Sequence, residues 1–486
     1  MTRLLWLDIN CSYSHSSLAL PAINAQSKNG DISWDKVSAT ISTNVGAVTE
    51  QIIARQPDII ACTLWLFTHD YIVKIIERVK AVDPKCTVIL GGPEFLGCNE
   101  RFLRVHDEVD CVFRGEGEIG FHKWLEYHDD KEAWKGIQGL CYIDKNGNYH
   151  DNGVVRVADF ESLAAPETSP FFDWSKPFVQ LETTRGCFNS CSFCVSGAEK
   201  PVRYIPIETA RKRIANIRSH GIKEIRFLDR TFNGDITRAI ELLDIFREFP
   251  DMRFHLEVHP ALLPEKLRKC LTDMPAGMLH IEAGIQSLDP KVLKACGRHG
   301  DPGKAVDGLR FLCGLENMAT HADLIIGLPY YTLEGIFGDI HTLAGFGAEE
   351  IQLELLKVLP GTRMREDAVQ YGIIYSPTTP YEVLCSDCVT IEETQTARLL
   401  SKLLDFYYNA RAWRNITQQL ILHDRKFTAK FLHWLRQKEY LEQPLSIEKR
   451  GLLLYDFIRT EYPSFSELFV EEWAKAGLSL RKLQTR

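Results

Sequence analysis

"FVQLETTRGCFNSCSFCVSG", residues 178–197, decides the reading of the chain. Its first seven residues read as a strand. A polar loop follows, with thiols at Cys187, Cys191 and Cys194 in C-x3-C-x2-C spacing. Asn189, Ser190 and Ser192 make three core cysteines a poor reading of it. Thiolates select soft metals: zinc, cuprous copper or iron–sulfur clusters. Structural zinc wants four closed ligands, often as two C-x2-C knuckles. A zinc site that also drew on Cys385 and Cys388 would hold five thiols, and a C-x3-C turn is no knuckle. A four-iron cluster on three cysteines keeps one iron open, as a catalytic site requires.

Working outward, residue 178 begins an alternation of strands and amphipathic helices. The strands are "FVQLETT" (178–184), "EIRFLD" (224–229), "RFHLEV" (253–258), "MLHIEAG" (278–284), "ADLIIG" (322–327) and "IQLELLKVL" (351–359). Six such units suggest an incomplete (β/α)6 barrel, with its site at the carboxyl ends of the strands. The thiol loop follows the first strand and lies on that face.

An earlier alternation fills the N-terminal part. "RLLWLDI" (3–9), "SATIST" (38–43), "DIIACTL" (58–64), "CTVILGG" (86–92) and "DCVFRG" (110–115) read as strands, and 68–82 and 117–128 as helices. This pattern implies an α/β doubly wound parallel sheet, Rossmann- or flavodoxin-like, which binds ligands beyond its carboxyl ends. "NCSYSH" (10–15), "TLW" (63–65), "GGPE" (91–94) and "RGEGE" (114–118) would lie there. No G-x-G-x-x-G follows the first strand. "CYIDKNGNYH" (141–150) reads as a hairpin with Asn-Gly as its turn. From about 372 the strand signal vanishes and amphipathic helices take over. The expected division is 1–150, a linker at 151–175, the barrel at 176–371, and a helical domain at 372–486.

The 486 residues are 45% hydrophobic and 25% charged, ordinary for a globular chain of several domains. A net charge of −8 argues against a nucleic-acid partner. "FYYNARAWRN" (406–415) could stack bases, but a helix burying its aromatics explains it more simply. No run approaches the roughly 20 apolar residues of a spanning helix, and the first residues lack signal-peptide features. A cytoplasmic protein is expected, its 14 cysteines being thiols or ligands rather than disulfides. Cys385–Cys388, with Cys296 in a segment read as open, leaves an auxiliary site or an incidental pair.

"RGCFNSCSFC" resembles the signature loop of the radical S-adenosylmethionine (SAM) enzymes, whose fold is a partial barrel. In that family the three cysteines hold a [4Fe-4S] cluster and SAM chelates the open iron. The resemblance implies that Phe193 packs near the adenine. "GIQSLDPKVLKACGR" (284–298) resembles a SAM-contacting stretch of several branches, which implies SAM contacts from Gln286 and Arg298. It extends the same role to Asp229, Glu257 and Asp323. "GGPE…VDCVFRGEGE" resembles the cobalamin-binding domain joined to one large branch, and "N-x-x-Y-x-H-x-x-LAL" a subgroup with a helical C-terminal domain of unassigned role. Asn10, His15, Thr63, Gly91, Gly92, Pro93, Glu94, Gly115, Glu116 and Gly117 would then face cobalamin. The D-x-H-x-x-G sequence that supplies a histidine to cobalt is absent. The resemblance implies an enzyme, a cobalamin-dependent methyltransferase acting on an unreactive carbon of an organic substrate, with flavodoxin or ferredoxin as electron donor. Its rivals are a radical cyclisation or rearrangement without methyl transfer, and a non-catalytic sensor.

Overall fold

The computed structural model describes residues 1–14, 17–27, 30–438 and 440–484. His15, expected at the cobalamin face, lies outside the described residues. Seven strands form the first sheet: β1 (Thr2–Asn10), β2 (Ile32–Thr40), β3 (Ile59–Thr63), β4 (Thr87–Gly91), β5 (Cys111–Phe113), β6 (Leu140–Ile143) and β7 (Tyr149–Asp151). Their order is β2-β1-β3-β4-β5-β6-β7, parallel through β5 and antiparallel beyond it. The chain reverses its winding between β1 and β3, where such sheets open a crevice. Alternation along β1 sends Leu5, Leu7 and Ile9 into one apolar layer and Leu4 and Trp6 into the other.

Two local features depart from the sequence reading. Val45–Arg55 is a helix that the apolar pattern left unassigned, because its buried stripe is only Val48, Thr49 and Ile52. Asn44 caps it, accepting from the Ala47 amide at 3.2 Å. The 141–150 hairpin does not turn on Asn-Gly alone. Its loop spans 144–148, and the Asp144 carboxylate accepts from the Asn146 and Asn148 amides, both at 2.9 Å.

The segment after β7 is a fastened strap. Phe160 and Phe172 enter the barrel core, and buried Glu167 pairs with Arg213 at 2.8 Å. The second unit contains β8 (Val179–Leu181), a short pair β9 (Thr184–Arg185) and β10 (Arg203–Tyr204), then β11 (Glu224–Phe227), β12 (Arg253–Val258), β13 (Leu279–Gln286), β14 (Ala319–Ile326) and β15 (Glu350–Leu355). Six strands run parallel in the order β15-β14-β13-β12-β11-β8. One parity, such as Phe254, Leu256, Ile281, Leu324 and Ile351, is buried. The other carries His255, Glu257, His280, Glu282, His321, Asp323 and Glu350 toward the barrel interior.

After residue 372 a hairpin of β16 (Ile374–Tyr375) and β17 (Val383–Cys385) precedes the helices, correcting the expectation of no further strands. Its strands are too short to show alternation. The helices that follow bury Tyr407, Tyr408 and Trp413 completely, while Phe406 is half-buried with Arg450 over its ring. A π-turn at Leu404–Tyr408 delivers Asn409 to the edge strand β15. There the Asn409 amide accepts from Ile351 N at 3.0 Å and donates to Ile351 O at 3.1 Å. One side chain thus replaces a neighbouring strand at the open edge. Asn409→Ala should lower stability by about 1–3 kcal/mol, because both groups of a buried residue lose their partners. Chemical denaturation measures this; an unchanged midpoint would show that the edge is held otherwise.

Candidate active site

The thiol loop is held from outside. Cys187 N donates to Glu199 O at 3.2 Å, Ser192 N to Cys296 O at 2.8 Å, and Met364 N to Ser192 O at 2.8 Å. Asn189 Oδ1 accepts from His299 N at 2.8 Å, and its Nδ2 donates to His299 O at 3.2 Å. These bonds leave Cys187, Cys191 and Cys194 free to line a cavity of about 170 Å³, together with Phe193. Three thiols on one cavity wall suit a soft-metal centre. Burial pushes the Cys191 thiol up, opposed by Arg298, whose Nη1 lies 3.6 Å from its sulfur. Cys296 is not in an open segment: it is fully buried beside this loop. Cys385 and Cys388 end the late hairpin as free, half-buried thiols.

The cavity wall comes from consecutive strand ends: Glu257 from β12, Glu282 and Gln286 from β13, and Asp323 from β14. A bulge between Gly284 and Gln286 puts Gln286 at φ +69°, a left-handed conformation. Arg298 braces it by donating to Gly284 O. Gln286 Oε1, Asp323 Oδ1 and His259 Nε2 are buried without a partner among the described residues. Such orphans are costly unless a ligand satisfies them. Burial raises the Asp323 carboxyl well above its usual range, helped by Glu282 and Glu257. Burial pushes Glu257 up to about 7, opposed by Arg230. The His255 hydrogen bond at 3.0 Å holds Glu282 down. Three carboxyls and an unpaired amide oxygen fit a ligand with ammonium, sulfonium and hydroxyl groups, as SAM has.

Asp229 does not join them. Its carboxylate is sealed, accepting from Thr183 N at 2.7 Å, Thr184 N at 3.0 Å and the Thr183 hydroxyl. Strand parity explains this. Residues 225, 227 and 229 are buried, so the next residue, Arg230, reaches the cavity. The sequence reading missed Arg230, Glu282 and His259, although the alternation in "HIEAGIQ" carried the signal for Glu282.

A larger cavity, about 310 Å³, lies between the two sheets. Thr63, Gly91, Gly92, Pro93, Gly115, Glu116 and Gly117 line it from the first sheet; Thr184, Gly186 and Ser196 do so from the barrel. Asn10 and Glu94 face elsewhere. Asn10 donates to Asp8 at 3.0 Å, and Glu94 accepts from the Tyr381 hydroxyl. Gly92 and Gly115 answer to the protein itself. Their φ values are +106° and +107°, and an added Cβ would lie 2.7 Å from Leu64 O or 2.3 Å from Val155 O. Glu116 bonds Arg203 at 2.7 Å and Arg185 at 3.3 Å, and Glu118 bonds Arg185 at 2.5 Å. No histidine lines this cavity among the described residues. A crevice whose floor is set by glycines at the strand ends fits a corrin.

Glu257 carries a pH signature. Its carboxyl binds a proton up to pH about 7 when folded but only to about 4.5 when unfolded. The native state therefore holds the extra proton between these values, and stability falls as pH rises through that window. Glu257→Gln should be more stable than the parent protein at pH 8 by up to about 3 kcal/mol, the difference vanishing near pH 4.5. Denaturant titrations of the cofactor-free protein read this; parallel pH profiles would refute it.

Residues 181–343 match the Radical SAM superfamily, 10–123 the B12 binding domain, and 369–474 a protein of unknown function (DUF4080). The uncharacterized methyltransferase PH0819 of Pyrococcus horikoshii is 27% identical over 329 residues, 65% of this chain and 71% of its own length. The cobalamin-dependent radical SAM methyltransferase TokK of Streptomyces tokunonensis is 25% identical over 353 residues, 67% of this chain but 51% of its own. In fold, the cobalamin-dependent radical enzyme OxsB with aqua-cobalamin bound aligns over 97% of this chain and 78% of its own, with a TM-score of 0.66 at 13% identity. The methyltransferase TsrM of Kitasatospora setae, with cobalamin and a [4Fe-4S] cluster bound, aligns over 78% and 76% at 0.63 and 16%. These three matches set a Radical SAM domain over the barrel, a B12-binding domain ahead of it and a domain of unknown function behind it.

Proposed function

We propose that the protein is a cobalamin-dependent radical SAM methyltransferase that acts on an unreactive carbon of an organic substrate. One observation carries the reading. The thiol loop separates the two cavities: Cys187, Cys191 and Cys194 line the smaller, while Gly186, Val195 and Ser196 line the larger. A substrate at their junction reaches both. The names of the Pyrococcus and Streptomyces relatives support methyl transfer.

When bound, the three cofactors supply one-electron cleavage of a C–S bond and a transferable methyl group. The chain supplies binding and orientation. Cys187, Cys191 and Cys194 would hold the cluster. Glu257, Gln286 and Asp323 would accept from the donors of SAM, Arg298 keeps the Gln286 bulge in place, and Phe193 would pack against the adenine. Asp229 acts one layer out, fixing the Thr183–Thr184 backbone ahead of the loop. Thr63, Gly91, Gly92, Pro93, Gly115 and Gly117 cradle the corrin; Glu116 positions the domain instead. A flavodoxin or ferredoxin in the cytoplasm supplies electrons.

Protein purified without oxygen should hold about four irons per chain and bind cobalamin. On reduction with SAM it should release 5′-deoxyadenosine, and S-adenosylhomocysteine only when cobalamin is present. Cys191→Ala should lose iron and reduce 5′-deoxyadenosine to background. Release of 5′-deoxyadenosine without S-adenosylhomocysteine would favour rearrangement chemistry; release of neither would leave a sensor.

A further inference from the structure

Among the described residues, Arg230 alone lines both cavities. The remaining cations on those walls are committed. Arg156 faces Glu199 at 3.6 Å, Arg185 is enclosed by Glu116, Glu118 and Glu182, and Arg298 donates to Gly284 O. The exposed Arg230 guanidinium makes no hydrogen bond or ion pair among the described residues. Its charge also acts on Glu257 and Cys194, neither of which reaches it by a hydrogen bond or ion pair.

A lone guanidinium is tolerable while water solvates it. Filling both cavities with large cofactors removes that water, and an unpaired cation left behind is strongly penalised. No side chain among the described residues gives it a hydrogen-bonded anion, so a bound group with an anionic fork suits it in the loaded state. A guanidinium takes carboxylate or phosphate through two parallel N–H bonds, fixing orientation as well as charge. A substrate whose carbon must reach both centres occupies the same junction.

We propose that Arg230 is the substrate anchor, and that the substrate carries a carboxylate or phosphate group held there. This rests on the proposed methyltransferase reading. The rival source of the same chemistry is the carboxylate of SAM, and the test separates them.

Holoenzyme loaded with cluster and cobalamin is treated with phenylglyoxal without oxygen, and labelling of Arg230 is read by peptide mass spectrometry. Acetate serves as the anionic probe and acetamide as its neutral isostere. Arg230 should remain reactive with SAM saturating, and acetate added to that complex should slow its labelling about tenfold, the effect of one good charged contact. Acetamide should have no effect. Arg230→Gln and Arg230→Lys should leave SAM affinity, followed by the cluster's electron paramagnetic resonance signal, unchanged. Protection by SAM alone, indifference to acetate, or loss of SAM affinity in both variants would each overturn the assignment. A wild-type cluster that does not respond to SAM would instead overturn the parent reading.

Discussion

Arg185 connects the two halves of the molecule. It stands two residues before Cys187 and is enclosed by Glu116 and Glu118 from the first sheet and Glu182 from the barrel. Arg203 on the paired strand adds a second bond to Glu116, which also accepts from Val157 N at 2.8 Å. Buried pairs of this kind add little net stability over an apolar contact, because desolvation cancels most of the attraction. Breaking one strands a charge, however, so the network favours the register of sheet on barrel that pairs every member. It stands on the wall of the larger cavity, two residues ahead of the thiol loop.

The barrel interior divides into a satisfied floor and an unsatisfied rim. Toward the amino ends of the strands, His255 bonds Glu282 at 3.0 Å, His280 meets His321 at 2.7 Å, and His321 meets Glu350 at 3.0 Å. Burial lowers His280 to about 4, so it stays neutral within this group. At the carboxyl ends Gln286, Asp323 and His259 each keep a buried polar atom without a partner. A closed eight-stranded barrel fills its interior with layers of branched side chains. This six-stranded one keeps polar side chains inside, and its binding capacity collects where they remain unpaired.

The helical domain completes the fold at its weakest edge. Six strands leave β15 open, and Asn409 supplies the donor and acceptor that a further strand would have given. The same C-terminal third also reaches the first sheet, through Tyr381 to Glu94 and Thr379 to Asp70 at 3.3 Å. The C-terminal segment thus meets both the barrel edge and the loops that follow the strands of the first sheet.

Local pattern made much of this legible. Period-two hydrophobicity located all six parallel barrel strands, and the C-x3-C-x2-C spacing marked the loop whose thiols stand together. Strand parity, applied one residue further, would also have separated Asp229 from Arg230. The fates of Glu94 and Glu116 were not legible, because each is decided by a partner far along the chain: Tyr381 for one, Arg203 for the other. The sequence by itself determined which residues face inward, since side-chain direction follows backbone geometry within a few residues. Tertiary structure alone decided which inward groups are consumed by one another and which are left for a ligand, since hydrogen-bond satisfaction depends on neighbours that only folding brings within 3 Å.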